Sequence, residues 1–180
     1  ECYGFSKRAL FIGAKAFREQ YGLNSIFLIL TNLYGPWDKF DPRESHVVAA
    51  LIRKFVEAKA NGDPQVECWG TGKPIREFLY VEDCAEAVVR ATQVYDKPDP
   101  LNMGTGTGTS IRELSEVIPE VVGYTGQVVW DASKPDGAMR KVLDVTKMKA
   151  ELGWEPRISL RDGLRKTIDW FVENEMVAAV

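Results

Sequence analysis

The sequence predicts a mixed α/β protein: the C-terminal part of a doubly wound parallel sheet joined to a smaller α/β lobe. Two observations predict it. "SIFLILTN" (Ser25–Asn32) is a continuous apolar run of strand length, the pattern of a parallel strand buried on both faces. After it, short strand-like runs alternate with helical patterns that repeat every three to four residues, with no internal repeat, low-complexity tract or linker between them.

Each element has its own signal. Tyr3 to Tyr21 reads as a helix, with Leu10, Ala14, Phe17 and Tyr21 recurring at helical spacing and Gly22 as its stop. Ser25–Asn32 follows as a strand whose neighbours are expected outside this chain. "YGPWDKFDPRES" is a loop punctuated by Gly35, Pro36 and Pro42. Ser45 is placed to cap the next helix, whose apolar face is Val47, Val48, Leu51, Ile52 and Phe55. "QVECWG" and "REFLYV" read as short strands. Glu82 and Asp83 then open a helix through Ala85, Val88, Val89, Thr92 and Tyr95, where acids suit the positive end of the dipole. "PLNMG" is another strand. Ser110 with Glu113 forms a capping box for a helix carrying Leu114, Val117, Ile118 and Val121. "QVVWD" is a strand, a short helix near Thr146 stops at Gly153, and Ser159 with Asp162 starts a last helix with Leu160, Leu164, Ile168, Phe171 and Val172 inward.

Composition narrows the function. The chain has 180 residues, 45% hydrophobic and 27% charged, the balance of a globular protein that can bury a core. A net charge of −3 gives no basic footprint, so neither nucleic acid nor a membrane surface is an expected partner. No apolar run reaches the length of a membrane span, and no signal-peptide pattern is visible. Cys2, Cys68 and Cys84 are odd in number and widely spaced. That argues against a disulfide framework or zinc site and suits a reducing cytoplasm. His46 is the only histidine, so no multi-histidine metal centre is expected.

Two glycine-rich runs do not match phosphate loops. Gly104, Gly106 and Gly108 alternate, but Thr109 stands where a G-x-G-x-x-G fingerprint needs its third glycine. In "GTGKP" Lys73 is followed by Pro74 instead of Ser or Thr. A dinucleotide fingerprint belongs to the first βα unit of a doubly wound sheet. Without it, and with Glu1 as the first residue, the chain reads as part of a longer protein.

"YGFSK" carries the sharpest chemical signal. Tyr3 and Lys7 lie one helical turn apart on one face. A phenol is a poor proton donor at neutral pH, and a neighbouring ammonium makes its proton exchange easier. Hydride delivery to a carbonyl carbon needs such a group to serve the oxygen. On spacing alone, an exposed helix pair is an equal reading.

The surrounding motifs decide between these. "TNLYGPWDKFDPRESHV" (Thr31–Val47), "WGTGKPIREFLYVEDCAEA" (Trp69–Ala87) and "SKPDGAMRKVLDVTKM" (Ser133–Met148) follow the Tyr-x-x-x-Lys pair in order. Together they resemble the extended short-chain dehydrogenase/reductase family, in the branch that acts on nucleotide sugars. Within it the wording is most similar to the epimerase/reductases of GDP-4-keto-6-deoxymannose. The resemblance implies a Rossmann-type sheet, with residues 1–45 as the tail of the dinucleotide-binding domain. Residues 46–180 would form mainly the nucleotide-sugar lobe, with some segments returning to the sheet. It also implies NADPH as cofactor, a GDP-sugar as substrate and a homodimer. The chain alone, lacking the fingerprint, is not expected to reduce a nucleotide sugar.

Roles follow residue by residue from the same resemblance. Tyr3 is the acid/base of 4-keto reduction, and Lys7 bonds the nicotinamide ribose. Asn32 and Leu33, at the end of a parallel strand, lie against that ribose and the sugar. His46 is an acid/base for C3/C5 epimerisation and borders the cofactor. Independently, a place at the positive end of a helix dipole is expected to favour the neutral imidazole, a competent base; a surface histidine is the bland alternative. Arg76 and Lys141 form an anion clamp for the diphosphate, since guanidinium makes two-pronged contacts and ammonium adds a point charge. Lys54 is a weaker substrate contact. Trp69 is either a wall for guanine or an ordinary core aromatic.

Trp37, Lys39 and Ala49 depart from residues common in the family (His, Asn and Pro) and leave the hexose open. Two other readings stay open: a related nucleotide-sugar epimerase or dehydratase, and a non-catalytic nucleotide-sugar-binding remnant.

Overall fold

A computed structural model describes residues 2–176 of the chain. Helix α1 (Cys2–Tyr21) ends where Gly22 adopts the left-handed conformation and its N–H bonds to the Arg18 carbonyl, a role for which glycine has no Cβ penalty. The apolar run then yields two strands instead of one: β1 (Leu28–Leu30) and β2 (Asn32–Tyr34). Helix α2 (Val47–Asn61) and strand β3 (Gln65–Trp69) follow. Next come β4 (Ile75–Arg76), β5 (Phe78–Tyr80) and helix α3 (Val81–Val94). Then come β6 (Leu101–Met103), β7 (Thr109–Ser110), α4 (Ile111–Val122), β8 (Gln127–Asp131) and β9 (Arg140–Lys141). Helices α5 (Thr146–Leu152) and α6 (Leu160–Phe171) close the order, with a π-helical turn at Val172–Met176.

Pairing is mostly parallel. β1 pairs with β6, β2 with β5 and β3 with β8. β4 lies between antiparallel β7 and parallel β9. The break in the apolar run has a topological cause: β1 and β2 take partners from different later segments, and Thr31 between them donates to the Met103 carbonyl at 3.1 Å.

β5 is buried at every position, and its side chains alternate between two cores. Phe78 and Tyr80 join Ile52, Phe55, Leu114, Ile118, Leu164 and Phe171, the core formed by α2, α4 and α6 with β3. Leu79 joins Ala87, Ala91, Leu101, Met103, Met148 and Leu152 beside α3, α5 and β6. Fully burying one such side chain is worth about 1.5–3 kcal/mol. The strand that leads out of Arg76 is therefore firmly anchored.

Several sequence expectations need correction. Ser45 does not cap α2: His46 occupies the N-cap position, and Ser45 Oγ is buried without a partner. Helix α1 packs through Phe11, Ala14 and Arg18, with Phe11 against Phe27 at 5.0 Å between rings. Leu10, Phe17 and Tyr21 are exposed. The inner face of α3 is Cys84, Ala87 and Ala91, while Val89 is exposed. Val172 is also exposed, beyond the end of α6. The strand β1 is half-exposed and not buried on both faces.

Candidate active site

The start of β2, which follows the carboxyl end of β1, the carboxyl end of β3, the start of α2 and the β4 strand surround one cleft of about 240 Å³. Asn32, Leu33, His46, Trp69, Arg76 and Asp136 all line it. A cleft beyond the carboxyl ends of parallel strands is where ligands of open α/β sheets bind. Five of the sequence-nominated residues thus meet at one site, although 44 positions separate Asn32 from Arg76.

Each side chain has a local reason for its place. Asn32 Nδ2 donates to the Glu77 carbonyl at 2.8 Å, which ties β2 to the β4–β5 junction. His46 is exposed at the N-cap of α2, in extended conformation and with no capping bond from its side chain. Trp69 ends β3 and is 64% exposed, so the core-aromatic alternative does not hold. Lys54 Nζ lies 5.3 Å and Lys134 Nζ 5.6 Å from its ring centroid. Lys54 also donates to the Glu67 carbonyl at 3.0 Å and flanks the cleft without lining it.

Arg76 is half-buried and donates one guanidinium N–H to the Ile75 carbonyl at 2.9 Å. Lys141 is exposed and does not line the cleft. It is, however, the direct register partner of Arg76 across parallel strands. Directly paired residues project from the same face of a sheet, so the two cations leave β4 and β9 together.

Asp136 was not singled out in the sequence, where its motif pointed only to Lys141. Its carboxylate accepts from the Thr71 N–H and the Thr71 hydroxyl, each at 2.7 Å. Those two bonds, helped by Lys73, hold its carboxyl below the usual carboxylate range. They also fasten the loop before β9 over the Gly70–Thr71 turn at the cleft's edge. Glu77, another residue missed by pattern, lies behind the cleft, fully buried.

Tyr3 and Lys7 stand apart from this cleft. They line a shallow apolar groove of about 680 Å³ with Leu10, Phe11 and the strand residues Leu28–Leu30. Lys7 Nζ lies 5.4 Å from the Tyr3 ring centroid, which agrees with one helical face. The two concavities adjoin along the strand, since Leu30 borders the groove and Asn32 the cleft. Among the described residues no group of acidic, histidine and cysteine side chains is placed to hold a metal ion. No described helix is long and apolar enough to cross a membrane.

The chain belongs to the NAD dependent epimerase/dehydratase family, whose model matches residues 1–104. It is 47% identical over 178 residues to a probable GDP-L-fucose synthase 1 of Oryza sativa subsp. japonica, covering 99% of this chain and 54% of that protein. It is 45% identical to the GDP-L-fucose synthase of Escherichia coli (strain K12), covering 97% and 57%. A solved GDP-L-fucose synthetase from Naegleria fowleri superposes with a TM-score of 0.90 at 28% identity, covering 97% of this chain and 55% of that one. The chain therefore spans about half the length of the curated relatives it matches.

Proposed function

We propose that the chain carries the substrate-side machinery of a GDP-L-fucose synthase, the NADPH-dependent 3,5-epimerase/4-reductase of GDP-4-keto-6-deoxymannose. The observation that carries this reading is the register pairing of Arg76 with Lys141 beside the cleft lined by His46 and Trp69. A diphosphate needs more than one cation to offset its desolvation. Arg76 and Lys141 supply two from one face. Trp69 offers its exposed ring to the base, with Lys54 alongside.

His46 then faces the sugar. Carbons 3 and 5 of a 4-ketohexose lie α to the carbonyl, so their protons are acidic enough for one imidazole to remove and return. Asn32 and Leu33, on the strand between cleft and groove, align the ring. Tyr3 delivers the proton to the C4 oxygen during reduction, with Lys7 beside it. The residues present fit the nicotinamide end of NADP: an apolar wall at Leu28–Leu30, Lys7 for the ribose hydroxyls, and His46 at the border. The cofactor, when bound, supplies the hydride. A neighbour of the same fold, the Naegleria fowleri protein, was solved bound to NADP, which supports the choice. On this reading residues 1–45 serve the cofactor domain, residues 46–180 serve mainly the sugar, and the working enzyme is a cytoplasmic homodimer.

Calorimetric titration of GDP and UDP into the chain tests the proposal. Saturable GDP binding, tighter than UDP binding, is expected. Absence of any GDP binding by the folded chain overturns it.

A further inference from the structure

We propose that Glu77 is the positioning residue of the diphosphate clamp, holding the strand of Lys141 in register with Arg76. This rests on the reading that Arg76 and Lys141 grip a diphosphate. Glu77 is completely buried, although it is the residue after Arg76. Its side-chain partners are three backbone N–H groups from two distant segments, with the Thr105 hydroxyl a longer fourth at 3.4 Å. Oε1 accepts from Thr105 N at 2.5 Å and Gly106 N at 2.8 Å, and Oε2 accepts from Leu143 N at 2.6 Å. Its main-chain oxygen accepts from Asn32 Nδ2 at 2.8 Å and Thr31 Oγ1 at 3.2 Å.

The geometry makes this carboxylate a brace across three strands. Leu143 lies two residues beyond Lys141, just past the end of β9. The Thr105–Gly106 turn leads into β7, where Thr109 is the other register partner of Arg76. Both flanking strands are only two residues long, and ladders that short are weak by themselves. β9 is also exposed at both positions, and the nearest packing is that of Leu143 and Val145 against the core beside α3 and α5. With the Ile75 N–H bond to the Met139 carbonyl on its other side, the Glu77–Leu143 bond ties the Lys141 strand to β4. The Gly-Thr run performs for an internal carboxylate what a glycine-rich turn does for phosphate: successive N–H groups converge on an anion.

Two substitutions isolate this role. Glu77→Gln turns one oxygen into an N–H donor, which faces either the Leu143 N–H or the Thr105–Gly106 pair and loses that tie. Gly104 lies outside the left-handed region, so its backbone tolerates alanine, but an added methyl would collide with Glu77 Oε1. Gly104→Ala therefore displaces the carboxylate without altering its chemistry, and it serves where Glu77→Gln fails to fold. Asp83→Asn is the control. Asp83 is a second buried carboxylate, bonded to Arg157 N at 3.2 Å and Ile158 N at 2.9 Å, far from β9 in sequence.

The experiment titrates GDP and guanosine into each variant and follows amide hydrogen exchange at Leu143. Glu77→Gln and Gly104→Ala should weaken GDP binding by about tenfold or more, leave guanosine binding unchanged and speed Leu143 exchange. Asp83→Asn should change none of these. Parallel loss of GDP and guanosine would reduce Glu77 to a general structural residue and overturn the proposal. So would wild-type GDP affinity or unchanged Leu143 exchange in both variants. If the wild-type chain binds no GDP, the nucleotide reading itself falls, and Leu143 exchange alone then decides whether Glu77 sets the position of β9.

Discussion

Replacing Arg76 and Lys141 by alanine, singly and together, tests the proposed diphosphate clamp. Their strands are direct neighbours, about 4.8 Å apart as in any sheet, and the two residues share one register position. Both heads can therefore reach one diphosphate. A hydrogen bond to a charged group is worth about 1.5–3 kcal/mol, so Arg76→Ala should weaken GDP binding by roughly 10- to 150-fold. Lys141, more exposed and limited to a point charge, should cost less. The double variant should cost less than the two single losses added, because the cations share a ligand and couple by about 0.5–3 kcal/mol. Arg76→Lys should recover only part of the loss, since an ammonium cannot make the two-pronged contact. Isothermal calorimetry with a melting curve for each variant separates binding from folding. Equal GDP affinity for wild type and Arg76→Ala would refute the clamp, and strictly additive losses would refute its shared ligand.

Other consequences concern chemistry and stability. In an enzyme that contains this chain and binds NADPH, His46→Gln should slow solvent-deuterium exchange at C3 and C5 by about 10²-fold or more; unchanged exchange would return His46 to the surface. Tyr3→Phe in the same enzyme should abolish reduction, read as NADPH consumption, while C3 and C5 still exchange. Ser110→Ala should cost about 0.5–2 kcal/mol in urea denaturation. Its hydroxyl accepts from Glu113 N at 3.1 Å while Glu113 bonds back to Ser110 N at 2.7 Å. Those bonds from the Ser110 backbone and hydroxyl hold the Glu113 carboxyl below its ordinary range. A lowered carboxyl stabilises the fold above the ordinary carboxylate pKa, and that stability is lost as pH falls through the lowered value. The acid-side loss of stability should be shallower in Ser110→Ala, and an unchanged slope would contradict the cap's role.

Local signals were legible because local chemistry enforces them. The Ser110–Glu113 box, the Ser159–Asp162 start and the glycine stops at Gly22 and Gly153 each involve residues within one turn. The strand split at Thr31 was not legible, because β1 and β2 are separated by their partners at Leu101–Met103 and Phe78–Tyr80. The inner face of α1 was misread because apolar residues occur nearly all round that helix, and only Phe27 shows which side packs. In the site, Arg76, His46 and Trp69 stood out by residue type and motif. Glu77 did not: a glutamate in a short strand reads as solvent-facing until the N–H groups of Thr105, Gly106 and Leu143 fold around it. Asp136 was hidden likewise, since its partner Thr71 lies 65 residues away.

Two-dimensional NMR of the chain titrated with GDP tests the central claim most directly, because it locates the nucleotide residue by residue. The account predicts saturable shifts at the Trp69 indole N–H, the Arg76 guanidinium, the His46 ring and the amides of Thr71 and Lys141. It predicts none at the separate polar hollow lined by Thr107 and Lys149. Shifts confined to that hollow, or no shifts at millimolar GDP, would contradict it.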